Sequence, residues 1–175
     1  ILRKRIMSYI NAATAGNFVK VLVRVNGGTS PAFSDFYASG AVTSGTIDLP
    51  ALQDITIDNK PAVYRWQQLD SSADHVVTAP TVNALNGNFV LDPTTFFGSG
   101  SGSTAAAKGI LNLSNDKVKI DFLVAFAGLT DTGTDHYVMG SGYFSNLAPT
   151  IKANAPVWVS PLTVEVDGAY TVGTV

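Results

Sequence analysis

Two Asp-His dipeptides, Asp74-His75 and Asp135-His136, are the residues best typed for catalysis, because a carboxylate that orients an imidazole makes a general base. Neighbours on a strand point to opposite faces, so neither dipeptide orients its own ring, and both histidines read as loop residues. No His-x-x-x-His spacing supports a metal site. Asp131-Thr-Gly-Thr-Asp135 opens like a calcium loop, but the fixed glycine is missing and Gly142 stands where the bidentate acid belongs, so it reads as a polar turn. Gly100-x-Gly102-x-x-Ala105 has the outline of a dinucleotide fingerprint without an alternating strand and helix series around it. No Gly-Lys-Ser/Thr follows it to make a phosphate loop. No Gly-x-Ser-x-Gly elbow occurs, and Glu165 is the sole Glu, so any glycosidase-type pair would have to be aspartates. No catalytic, cofactor-binding or metal-binding residue is assigned, and the chain reads as a non-enzyme.

What remains is composition and pattern. A chain of 175 residues suits one domain, which at this size buries roughly 70% of its extended-chain surface. It has no cysteine, so neither disulfides nor thiolate metal sites contribute. Only 14% of residues are charged, against roughly 25% in ordinary soluble domains, while 46% are hydrophobic. Much of such a surface is expected to be covered by other subunits. Net charge is −2, and twelve of the thirteen acids are Asp, which suits turns and strand ends. Arg3, Lys4 and Arg5 read as solvated or paired with a neighbouring subunit, not as a nucleic-acid grip. No run approaches the roughly 18 apolar residues of a membrane span, so no membrane insertion is expected. Ile6 to Gly16 is too polar for a signal-peptide core and reads as mature sequence, although Met7 also fits a genetic start.

The pattern is one of strands. Val19, Val21, Val23 and Val25 share one face of a strand from Phe18 to Val25, and Asn26-Gly27-Gly28 ends it. Ala41 to Leu49, Asp54 to Ile57, Ala62 to Leu69, Val76 to Thr78 and Asn88 to Leu91 follow as strand candidates. Thr104 to Leu113 is the one expected helix, capped by Ser103 or Thr104, with Gly109 costing about 1 kcal/mol against Ala. Lys117 to Phe126 is expected to be central, with Val118, Ile120, Phe122, Val124 and Phe126 on one face and a wet Lys117, Lys119, Asp121 end on the other. About ten strands predict a mainly-β fold, a β-sandwich or barrel-like sheet with one short flanking helix.

The C-terminal third carries more. Val138-Met-Gly-Ser-Gly-Tyr-Phe-Ser-Asn-Leu147, then Ala155-Pro156, then a run from Val157 to Val172 folded across Asp167-Gly168, give a Gly-x-Gly strand, a small-Pro corner and an expected last hairpin. With the preceding helix, long strand and polar Thr130 to Asp135 loop, this order resembles the second half of major tail tube proteins of long-tailed bacteriophages. The resemblance implies one tail-tube-like domain over 1–175, with residues 1–16 as an N-terminal arm, 26–36 as an extended loop to the next ring and 98–103 as a flexible Gly-Ser loop. It implies rings, usually of six subunits, whose inner strands form one shared barrel around a channel and which stack into a tube. Its partners would be its own copies, other tail proteins at the tube ends, and DNA that passes without specific binding. Its place would be the virion tail, and the host cytoplasm during assembly. Some of the aspartates are expected to line the channel. Two further readings share the composition: a capsid decoration or coat protein, and a carbohydrate-binding β-sandwich of a virion fibre using Tyr64, Trp66 and Trp158 as stacking platforms.

Overall fold

The computed structural model describes residues 19–49, 52–61, 63–67, 74–78, 81–126, 136–155 and 157–174. The expected N-terminal arm, the Thr130 to Asp135 turn and Pro156 lie outside the described residues. Alternating valines open the main sheet as β1 (Lys20–Val25), followed by a 3-10 turn at Phe33–Asp35 and the short strands β2 (Tyr37–Ala38), β3 (Ala41–Val42) and β4 (Ile47–Asp48). Next come β5 (Leu52–Lys60), β6 (Val63–Gln67), β7 (Asp74–Thr78) and β8 (Val82–Val90). Two helices, α1 (Pro93–Phe97) and α2 (Ala105–Asn115), lead into β9 (Ile120–Phe126), β10 (His136–Leu147), β11 (Val159–Val166) and β12 (Thr171–Thr174).

One antiparallel sheet runs in the order β4-β1-β9-β10-β11-β8-β5, with β12 also on β10. Side chains from both of its ends, Val21 and Ile47 at one and Phe89 and Ile57 at the other, meet in a single core with Phe96, Ile110 and Leu113 of the helices. The sheet therefore curls around its own apolar face and the helices fill the opening, the mainly-β, barrel-like arrangement that the alternation predicts. β9 is central as expected, and Ile120, Phe122 and Val124 are fully buried. Each such side chain contributes about 1.5–3 kcal/mol of transfer free energy. A second, smaller cluster lies on the opposite face, where Phe36 folds back over Leu22, Leu123, Ala125 and Met139.

Five expectations need correction. The last hairpin does not form: β12 pairs with β10 and not with β11, because β11 already has β10 on one edge and β8 on the other. β11 and β12 lie in succession along the same edge of the twelve-residue β10, and Asp167-Gly168 is a loop between them, from which the Asp167 N–H donates to the Ser141 carbonyl at 2.7 Å. Gly109 is not a helical residue; its φ of 73° and ψ of 163° kink α2, and a Cβ there would lie 2.7 Å from the Phe96 carbonyl oxygen. Only glycine fits where α1 and α2 cross so closely. The α1 helix itself was unexpected, although Asp92 accepts from the Thr95 N–H at 2.8 Å and Pro93 occupies the first turn. Ala41 to Leu49 is two strands, separated by a turn in which Gly45 has φ 83°. Finally, the wet end of β9 is dry at Asp121, which is 1% exposed and accepts hydrogen bonds from Asn26 Nδ2 and Ser141 Oγ, each at 2.6 Å.

Candidate functional site

The strands β10, β11, β8 and β5 turn their second face away from the core, and alternation decides what it carries. Because Ile55, Ile57, Leu85, Phe89, Leu162 and Val164 point inward, the residues between them point out. The register stacks them into cross-strand rows. Tyr143, Glu165, Ala84 and Asp58 form one row, Asn146, Thr163, Asn86 and Thr56 the next, and Pro161, Asn88 and Asp54 a third. Hydrogen bonds tie the rows together. Asn88 Nδ2 donates to both Asp54 carboxylate oxygens at 3.1 and 2.8 Å, Thr163 Oγ1 to Asn86 Oδ1 at 2.8 Å, and Ser145 Oγ to Glu165 at 3.3 Å.

The charge on this face is one-sided. Elsewhere among the described residues Asp35, Asp48, Asp116 and Asp167 are each paired with a Lys or Arg within 3.3 Å. On the sheet face only Asp58 has such a partner, Lys60 at 3.1 Å, while Asp54 and Glu165 face amides and hydroxyls. The result is a hydrophilic, net-negative wall of mostly small side chains. Sequence reading left these residues unassigned. The Asp54, Thr56, Asp58 alternation is visible in the chain, but its neighbours Asn86, Asn88 and Thr163 come from strands about 30 and 110 residues away.

Two apolar surfaces flank that wall. The β6–β7 ribbon is a separate two-stranded sheet, and Val63, Tyr64, Trp66, Val76 and Val77 are between 45% and 66% exposed. None of its described residues belongs to either core cluster. At the far end of β8, a cleft of about 260 Å³ lies between α1, α2 and the segment before β11, walled by Leu91, Phe96, Phe97, Leu111, Ile151 and Trp158. Trp66 stacks on His75 at 4.7 Å, so one face of its ring is covered. Tyr64 and Trp66 therefore sit on the ribbon and Trp158 in the cleft, and the three aromatics do not form one platform.

The 26–36 loop divides in two. Its second half is held to its own sheet: Arg24 pairs with Asp35 at 3.1 Å and lies over the Phe36 ring at 5.9 Å. The Ala32 N–H donates to the Asp35 carboxylate and, with Arg24 beside it, holds the Asp35 pKa below its ordinary value. Gly27 to Ser30 stay exposed. In the 98–103 loop, Ser99 and Gly100 donate to the Ala106 and Ala107 carbonyls at 3.2 and 3.3 Å. Neither histidine is a loop residue as expected: His75 follows Asp74 on β7 and His136 opens β10; among the described residues no group of three acids or histidines could hold a metal ion.

Solved structures with a similar architecture include chains of tubes and tails. The SPP1 tail tube superposes with a TM-score of 0.60 at 10% identity, over 92% of this chain and 78% of that one. This is the tail-tube fold. A chain of the tail of an empty gene transfer agent particle, refined with C6 symmetry, gives 0.55 at 12% identity over 87% and 95% of the two chains. A chain of the sheath–tube complex of an extracellular contractile injection system gives 0.51 at 12% identity over 89% and 88%. No family model matches the sequence, and no curated protein matches it.

Proposed function

We propose that this chain is a structural virion subunit that forms rings, six subunits to a ring, stacked into the tail tube through which DNA is delivered. The observation that carries the reading is the sheet itself: one face packs on the core, and the other carries, over β10, β11, β8 and β5, a net-negative polar wall ending at β5, a nine-residue edge strand with no strand partner on its outer side among the described residues. An open edge of that length is an aggregation hazard in a monomer, and closure into a ring removes it. Closing the sheet with its neighbours turns β10, β11, β8 and β5 of each copy into part of one barrel, with Asp54, Asp58 and Glu165 facing the lumen. Duplex DNA, itself densely negative, is repelled by such a wall and slides. The C6 symmetry of the gene transfer agent tail supports six as the ring number. The role is one of assembly and passage, not of catalysis. Other tail proteins would contact the tube ends, the subunit would reside in the host cytoplasm before assembly, and Gly27 to Ser30 would face the adjoining ring.

The test is negative-stain electron microscopy with light scattering over a concentration series. Hollow tubes or stacked rings with a stain-filled centre are expected above a threshold concentration. Monomers at every concentration, even after seeding with sheared material from an infected culture, would overturn the reading.

A further inference from the structure

The chain contains two Asn-Gly pairs, Asn26-Gly27 and Asn86-Gly87, and in this dipeptide the backbone nitrogen reaches the preceding side chain unhindered, because glycine carries no Cβ. The fold treats the two pairs oppositely. Asn86 lies inside β8 with Thr163 of β11 on one side and Thr56 of β5 on the other, and Gly87 is paired between Leu162 and Ile55. Ladders on both edges hold that backbone extended, and the Asn86 carboxamide is taken up by Thr163 and Asp58. Asn26 is the first residue past β1. Its N–H still donates to the Lys119 carbonyl at 3.0 Å, so the chain leaves the sheet at Gly27, which is exposed.

The Asn26 carboxamide is bent back over that departure. Its Oδ1 accepts from the Gly28 N–H at 2.9 Å, closing a ring of which the Gly27 nitrogen is already a member, and its Nδ2 donates to Asp121 at 2.6 Å. A backbone N–H held at that distance also favours the negative charge that develops on the oxygen when the amide carbon is attacked. Beneath the loop lies a hollow of about 390 Å³, bordered by Asn26, Ser30, Lys119, Ser141 and Asp167, polar and roomy enough for water.

We propose that Asn26 is a site of spontaneous deamidation in the free subunit, and that the product releases the loop that begins there. The Gly27 nitrogen gives up its proton and bonds to Asn26 Cγ, the Cγ–Nδ2 bond breaks, and ammonia leaves with that proton; water then opens the cyclic imide to aspartate or isoaspartate. Either product sets a carboxylate where the amide had donated to Asp121, which is 1% exposed. Arg24 Nε lies 3.7 Å from Asp121, but Arg24 is already paired with Asp35 at 3.1 Å, and Lys119 is paired with Asp167 at 2.7 Å. The added charge therefore goes unmatched and the two carboxylates repel. Only the consequence for stacking rests on the proposed function: where Gly27 to Ser30 face the adjoining ring, an aged subunit loses the loop that meets it.

The test keeps unassembled subunit in mildly alkaline buffer at body temperature and follows its tryptic peptides by mass spectrometry over weeks, beside a sample in urea. In the folded protein Asn26 is expected to lose its amide while Asn86 keeps it, and in urea both convert. Gly27 does not have a positive φ, and a Cβ there would meet, among the described residues, only the tip of the Arg24 side chain, at 3.1 Å. Gly27→Ala should therefore fold as wild type by circular dichroism and slow the Asn26 conversion about tenfold. Protection from hydrogen exchange over residues 27–30 should be lost in Asn26→Asp at neutral pH and regained by about pH 4, where a proton on the carboxylate pair restores a donor. The wild-type loop has no such pair and should not tighten over that range. An Asn26 that keeps its amide in the folded subunit while converting in urea would overturn the site, and equal protection in Asn26→Asp and wild type would overturn the release. Both readouts need no tubes, so failure of tubes to form would count against the proposed function alone.

Discussion

Gly109, Asp121 and Tyr170 each hold a junction between elements. A glycine in a regular helix is improved by Ala by about 1 kcal/mol, which is what the sequence alone predicts for Gly109. With φ 73° and ψ 163°, the conformation belongs almost solely to glycine, and a side chain would strike the backbone of α1. Gly109→Ala should therefore lose about 2 kcal/mol or more, and chemical denaturation decides by sign alone. Asp121 offers a second test. Its carboxylate accepts from Asn26 and Ser141, and Arg24 Nε lies 3.7 Å away, so Asp121→Ala strands donors and a partly buried cation. A loss of about 3 kcal/mol, or a fall in Tm of about 6–12 °C, is expected, and a loss under about 1 kcal/mol would show that water replaces these bonds. Tyr170 sets a pH limit. Its hydroxyl lies 2.8 Å from the Asp58 and Ala84 carbonyls, and burial, with Asp58 nearby, pushes its pKa up to about 12. Because the folded value exceeds the unfolded one, near 10, its contribution is intact below pH 10 and is lost as pH rises toward 12. Tyr170→Phe should flatten the decline of stability over that window, and an unchanged slope would assign the decline to other groups.

Strands that alternate cleanly over six or more residues were legible, because burial of one face leaves a period of two. β1 and β9 are such strands, and Val21, Val23, Phe122 and Val124 are in the core as their spacing predicts. What the chain conceals is which edge each strand meets. Nothing in Asp167-Gly168 reveals that β11 has no free edge for β12, since that depends on β8, some 80 residues earlier. The polar wall is hidden for the same reason: its rows are assembled from four strands separated in sequence, and only pairing makes them one surface. The β6–β7 ribbon shows the opposite case, two strands visible in the sequence as candidates whose isolation from the main sheet is not. As neither core uses its described residues, replacing 62–79 with a two-residue turn should leave Tm within a few degrees of wild type and abolish tube growth. A ribbon-less chain that unfolds would instead make the ribbon part of the fold.

The charge of the assembled molecule follows from how few cations reach the wall. Lys60 offsets one carboxylate, and in the proposed tube every ring would repeat the excess around the lumen, so axial and lateral contacts would bear the self-repulsion and the channel would repel DNA. Reversing the sign separates those two roles. Asp54→Lys, Asp58→Lys and Glu165→Lys lie on an exposed face where substitutions cost little stability, so tubes should still grow. Their lumen, however, should now hold duplex DNA at about 50 mM salt, protected from nuclease by the surrounding wall, and release it by about 200 mM as counterions compete. Wild-type tubes should protect none at either salt. Protected duplex inside wild-type tubes would mean that the acidic face lies elsewhere in the ring; protected duplex only in the reversed tubes would tie these three carboxylates to the channel and their charge to the ease of passage.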